Sequence, residues 1–135
     1  DYLMTPQGTP YTIHRERARI LRVIDGDTFV CVVNDIVETV RLLGIDCFES
    51  ARTPKLRKQA ARAKLSVNVA QERGKQAELY CTSLLTGATV ELRKGFLGVP
   101  ERDHFGRLLR EIWFEGESLA ERLRKRGFAA PESQR

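Results

Sequence analysis

Two pairs of carboxylates, Asp25/Asp27 and Asp46/Glu49, flank Arg41 within the stretch from Arg22 to Glu49. Carboxylate oxygens are hard ligands of the kind that Ca²⁺ and Mg²⁺ take, Ca²⁺ in flexible geometry and Mg²⁺ near an octahedron. A guanidinium between them could grip a phosphate with two parallel hydrogen bonds. A third element, Asp103-His104-Phe105-Gly106-Arg107, would bring a second arginine to stabilise charge building on a phosphoryl group. Each element has an ordinary reading too. Asp-Gly is a common turn pair, Asp46 could cap a loop, and the pentad could be a solvated turn. What favours chemistry is the combination, because an arginine inside Val40-Arg41-Leu42-Leu43 needs an anionic partner.

Those residues work together only if strands bring them to one place. Alternation from Glu16 to Ile24 predicts a half-buried strand, ended by a tight turn at Asp25-Gly26-Asp27. Thr28 to Val33 is dense in β-branched and aromatic residues, which predicts a second strand. Asn34-Asp35 is a two-residue turn signal, with Ile36 to Leu43 as the return strand of a hairpin. Thr53-Pro54 resembles a helix start, a capping hydroxyl followed by proline at the first helical position. Helix formers then run from Lys55 to Leu85, and Gly74 predicts a hinge between two helical pieces. Thr89 to Leu92 and Leu108 to Phe114 read as strands around a loop, and Ser118 with Glu121 as a capping box for a last helix ending at Gly127. Five strands with an interposed helix suit a small closed barrel of the OB type, an α+β fold that is mainly β.

Composition bounds the rest. With 135 residues the chain is expected to form one domain, residues 16–135, behind a loose leader over residues 1–15 that holds Pro6, Gly8 and Pro10. No apolar run approaches the ~20 residues that span a bilayer. No charged-then-apolar export signal opens the sequence either, so such a signal would have been removed or never present. A net charge of +5 favours polyanions such as nucleic acid, although a generic basic surface reads the same way. Cys31, Cys47 and Cys81 have neither zinc spacing nor a disulfide framework.

The sequences IDGDT, RLLGID with an acid three residues later, and DxFGR before a strand together resemble the staphylococcal nuclease (thermonuclease) family. The resemblance runs from about Glu16 to Ala130, with order and spacing kept. It implies an OB barrel with helices and a Ca²⁺-dependent hydrolysis of phosphodiester bonds in DNA and RNA, leaving 3′-phosphates. By that resemblance Asp27 and Asp46 would bind calcium, with the main-chain carbonyl of Cys47. Asp25 would lie near the ion without ligating it. Glu49 would position or deprotonate the attacking water, and Arg41 and Arg107 would bind the scissile phosphate. Substrate would be single-stranded or frayed nucleic acid, met by a monomer, and an extracytoplasmic site is the resemblance's suggestion.

Departures from the family's pattern are specific. Phe48 stands where proline is usual, so Cys47-Phe48 is expected to shift the metal loop. His104 and Phe105 replace a lysine and a tyrosine near the nucleotide. After Gly127-Phe128-Ala129 the tyrosines that flank the nucleotide in the type member, and its last helix, have no counterpart. The segment from Arg52 to Gly74 is longer than the corresponding loop by roughly a dozen residues and is basic and helix-prone. Arg57, Lys58, Arg62 and Lys64 on it are candidate phosphate contacts, with a solvated helix face as the alternative. A thiol at Cys47, beside the proposed ion, predicts sensitivity to thiol modification. The rival reading of the whole chain is a non-catalytic OB module that binds nucleic acid or protein, and a fragment of a larger protein is a third.

Overall fold

A computed structural model describes residues 2–12 and 14–132. Its centre is a barrel of five strands, β3 (Arg15–Asp25), β4 (Thr28–Val33), β5 (Ile36–Leu42), β6 (Thr89–Lys94) and β7 (Leu108–Phe114). They pair in the order β5-β4-β3-β6-β7, and a parallel pairing of β5 with β7 closes the ring. A two-residue strand, β8 (Glu117–Ser118), adds to the outer edge of β7. With three helices, this is the OB-type α+β architecture that the strand order predicts.

Local chemistry explains the joints. Asn34 and Asp35 both take positive φ, 50° and 64°, the backbone of a two-residue hairpin turn that suits the right-handed twist of its strands. The turn sets the register, with Val33 opposite Ile36 and Thr28 opposite Arg41. Alternation along β3 and β4 sends Ile20, Phe29 and Cys31 inward, where they meet Val40, Leu42, Leu92 and Ile112, all buried.

Among the described residues, α2 (Val67–Leu85) and α3 (Leu119–Lys125) pack on the barrel strands, and α1 (Pro54–Ala63) packs on α2 and a second small core. Thr53 caps α1 by accepting the Leu56 N–H at 3.1 Å, ahead of Pro54. Ser118 caps α3 by accepting the Glu121 N–H, whereas the Glu121 carboxylate pairs with Arg124. Among the described residues, no helix is long and apolar enough to cross a membrane.

One expectation about the elements is corrected. The break between the helical pieces falls at Lys64, which closes α1 in the left-handed conformation (φ 57°), and Ser66 then caps α2. Gly74 is no hinge but an interior residue of α2, and its role is steric, as the site makes plain. The leader, in turn, contains a hairpin of β1 (Tyr2–Met4) and β2 (Pro10–Thr12), which pair only with each other. Turn chemistry rather than periodicity forms it: Gly8, at φ 82°, donates to the Thr5 carbonyl, and the Thr5 N–H donates to the Thr9 carbonyl.

Candidate functional site

The strand side of the site begins at the β3–β4 turn. Asp25 turns its Oδ1 back to accept the Asp27 N–H at 3.2 Å, the usual way an aspartate stabilises a turn. Asp27 itself is buried, at 4% exposure. Its Oδ2 accepts the Cys47 N–H at 2.8 Å, and its Oδ1 accepts the Thr28 hydroxyl at 3.3 Å. Because Thr28 lies opposite Arg41, the guanidinium falls beside this carboxylate. Its Nη2 stands 3.0 Å from Asp46 Oδ1 and 3.5 Å from Asp27 Oδ2, so Arg41 bridges the two acid clusters. Its Nη1 donates to the carbonyls of Leu42 and Ile45 at 2.6 and 3.0 Å, which fixes the head in place.

Arg107 sits one residue before β7. The parallel register sets Leu109 opposite Arg41, so Arg107, two residues earlier, shares Arg41's side of the sheet. Its side chain is not bonded into the acid cluster. Nε donates to Asp103 Oδ2 at 2.7 Å, and Asp103 Oδ1 also accepts the N–H groups of Phe105 and Arg107. On the same loop the rings of His104 and Phe105 meet with centroids 4.0 Å apart and planes tilted by 39°, with Phe105 71% exposed.

The helical side begins where the chain leaves β5. Residues 46–48 are held against the C-terminal segment by a bridge of Cys47 to Ala129. The Ala130 N–H adds a bond to the Asp46 carbonyl at 2.7 Å. Phe48 is buried and nucleates a second small core with Leu56, Ala60, Ala70 and Ala130. Phe48 therefore anchors α1 and the start of α2 under the acid loop. That anchor aims Gln59 and Lys55, one turn apart on α1, at the loop. Gln59 is wholly buried and uses both ends of its amide. Its Oε1 accepts the Glu49 N–H at 2.9 Å, while Nε2 donates to the Cys47 carbonyl at 2.9 Å and to Asp46 Oδ2 at 3.2 Å. Lys55 Nζ lies 2.9 Å from Asp46 Oδ1.

Helix α2 presses on both acid loops through a row of small residues, Ala70, Gly74, Ala77 and Cys81. A Cβ on Gly74 would lie 2.3 Å from the Glu49 carbonyl oxygen and 2.7 Å from that of Phe48. One on Gly26 would lie 2.9 Å from the Ala77 Cβ and 3.1 Å from Cys47 Sγ. Glycine on the helix and glycine in the turn thus allow α2 to touch both loops at the backbone level. Neither close approach leaves a periodic signature in the sequence.

Four carboxylates (Asp25, Asp27, Asp46, Glu49) here face two cations, Arg41 and Lys55. Burial, reinforced by Asp25, pushes the Asp27 carboxyl up to about 7 against the pull of Arg41. Burial also raises Glu49, helped by Asp27 and Asp46 and opposed by Lys55. Burial works against the charge of Lys55, yet Asp46, Glu49 and Asp27 hold its pKa above the ordinary value. The acid excess and the all-oxygen donor set of Asp27, Asp46 and the Cys47 carbonyl suit a hard divalent cation. Among the described residues no three His, Cys, Asp or Glu side chains converge as a metal site. All three thiols are buried and free, and burial raises Cys47 and Cys81. The predicted sensitivity of Cys47 to modification is corrected on that ground, since reactive cysteines are exposed and low in pKa.

Arg57, Lys58 and Arg62 on α1 and Lys64 at its left-handed cap are exposed, and no ion pair among the described residues engages them. Sequence reasoning missed Gln59, Lys55, the packing role of Gly74, and Arg110. The last is a buried arginine of β7 whose Nε pairs with Glu16 at 3.0 Å and whose Nη2 pairs with Glu101. Its signal was available, as Arg110 stands at an inward position between Leu108 and Ile112.

Known proteins of similar sequence share one family. The family model described as staphylococcal nuclease homologue matches residues 39–135. A thermonuclease of Staphylococcus hyicus is 29% identical over 113 residues, covering 82% of this chain and 56% of the relative. Endonuclease YncB of Bacillus subtilis (strain 168) is 32% identical over 134 residues, 96% of this chain and 56% of the relative. The SPbeta prophage-derived endonuclease YokF of the same organism is 35% identical over 108 residues, 80% of this chain and 31% of the relative. The chain therefore spans about half the length of the first two and less of the third. The match to YncB also takes in the Asp25–Asp27 turn, which lies before the segment that the family model covers.

Proposed function

The chain belongs to the staphylococcal nuclease homologue family, and from that premise we propose that it hydrolyses phosphodiester bonds of DNA or RNA with calcium as its cofactor. The observation that carries the proposal is the cluster in which Arg41 joins Asp27 and Asp46, with Glu49 tied to it only through Gln59, which accepts the Glu49 N–H and donates to Asp46. Asp27, Asp46 and the Cys47 carbonyl would hold the ion. Calcium bound there supplies polarisation of a phosphate oxygen and neutralisation of charge.

The residues of the chain do the rest. Glu49 orients or deprotonates a water for in-line attack at phosphorus, and its raised pKa makes it a better base than a solvated glutamate. Gln59 fixes that glutamate's backbone through the Glu49 N–H. Arg41 and Arg107, on one side of neighbouring strands, grip the non-bridging oxygens as negative charge grows. The exposed Phe105 ring, beside His104, offers a face for an unpaired base, which favours single-stranded or frayed substrate. Arg57, Lys58, Arg62 and Lys64 extend a track for flanking phosphates. Attack with departure of the 5′ oxygen leaves a 3′-phosphate.

The test is cleavage of denatured DNA and of RNA, side by side, in Ca²⁺ and in EGTA. Turnover in calcium that stops in EGTA is expected. Undiminished cleavage in EGTA would remove the metal from the mechanism, and binding without turnover under any divalent ion would favour the non-catalytic module instead.

A further inference from the structure

Asp46 Oδ1 is shared by two cations of different character. Arg41 is immobile: its side chain is 17% exposed, and its other nitrogen is tied to two main-chain carbonyls. Lys55 is the opposite. Its side chain is 49% exposed, it sits in the first turn of α1, and among the described residues its ion pair is with Asp46. The other partner of Asp46, Gln59, is wholly buried and bonded at three points. Lys55 is therefore the only donor on Asp46 that can leave without unmaking the loop, since its four-carbon stem can swing the ammonium into solvent.

We propose that Lys55 is a resident cation of the acid site. It neutralises Asp46 while no divalent ion is bound, and it withdraws when such an ion takes that carboxylate. Lys55 thereby sets the ion affinity of the site. This inference rests on the reading that the ion binds at Asp27, Asp46 and the Cys47 carbonyl. Both cations would use the same carboxylate, and an ammonium and a divalent ion at one oxygen repel each other, so binding of one weakens binding of the other. Placement follows from the fold. The Phe48–Leu56–Ala60 contact fixes the rotation of α1, and the i, i+4 spacing of Lys55 and Gln59 sends both side chains to Asp46. Without Lys55, Asp46 would face Asp27 and Glu49 with Arg41 as the sole cation.

The experiment is calcium titration calorimetry on the wild-type chain, Lys55→Met and Lys55→Arg, paired with thermal unfolding in EGTA. Lys55→Met should bind Ca²⁺ about tenfold more tightly than wild type, while Lys55→Arg stays near wild type. In EGTA, Lys55→Met should unfold at a lower temperature, and that deficit should vanish when Asp46→Asn is already present. Equal calcium affinity of wild type and Lys55→Met overturns the proposal alone. Absence of calcium binding in every variant overturns the ion assignment, and the exchange with it. A deficit in EGTA that persists in the Asp46→Asn background also overturns the proposal, because Lys55 would then act through some other contact.

Discussion

Strands β4, β5 and β7 bring Asp27, Arg41 and Arg107 to one end of the barrel by register, whereas helices α1 and α2 hold the acid loop by touching its backbone. On the strand side, pairing of Thr28 with Arg41 and of Arg41 with Leu109 settles where each charge lies. On the helical side, Gln59 bonds the Glu49 N–H and the Cys47 carbonyl, and Gly74 lets α2 lie against Glu49. The strand side places charge by register, and the helical side holds the acid loop through main-chain contacts and adds Lys55 to it. A catalytic base is only as useful as the loop that aims it, so damage to the helical side should reach activity without removing any charged group.

The largest stability effect belongs to the strand side, where Asp27 is buried next to Asp25. With a folded pKa of about 7 against an ordinary value of 3.8, the native state holds this proton more tightly than the unfolded chain. The resulting stabilisation is complete below the ordinary value and is lost as pH rises toward 7. In EGTA, the stability of wild type relative to Asp27→Asn should therefore fall between pH 4 and 7 by ~1.4 kcal/mol per unit at most. Denaturant unfolding at several pH values measures this, and a flat difference would show that Arg41 and the Cys47 N–H already compensate the charge.

Gly74→Ala comes next and strikes the helical side. The added methyl would meet two main-chain carbonyl oxygens and push α2 from the loop, costing ~1–3 kcal/mol. Cleavage should fall well beyond the loss of folded protein. A variant as active as wild type would mean that Glu49 tolerates displacement. Gln59→Leu keeps volume but orphans the buried Glu49 N–H and Cys47 carbonyl, at ~1–3 kcal/mol. Its kcat should drop more than its KM rises, which steady-state kinetics reads directly. Smallest in the folded state is joint neutralisation of Arg57, Lys58, Arg62 and Lys64. Their exposure predicts a stability change within about 0.5 kcal/mol, while the salt slope of single-strand binding should flatten by up to about 3. An unchanged slope would return this face to plain solvation.

The same division explains what could be read from the residues alone. Strand positions, the Asn34-Asp35 turn and the Thr53-Pro54 helix start follow from period-2 alternation and local turn chemistry, so one sequence suffices. The acids and Arg41 stand out by type and order along the chain, and the structure sets Arg41 beside Asp27 and Asp46, while Arg107 pairs with Asp103. Gly74 misled because a glycine in a helical run looks like a break, and only the distance to Glu49 reveals a packing requirement. The true break at Lys64 carries no glycine or proline; a lysine adopts the left-handed conformation instead. Gln59 and Lys55 read as two more polar residues of a basic helix, since nothing local says that Phe48 will rotate them toward Asp46.

The most direct test of the central claim, that both sides serve one phosphodiester-cleaving centre based on Glu49, is single-turnover cleavage of denatured DNA in calcium by wild type and by Glu49→Gln. A loss of about 10²- to 10⁴-fold in Glu49→Gln, with DNA binding preserved, is predicted. Cleavage by Glu49→Gln at the wild-type rate would contradict it.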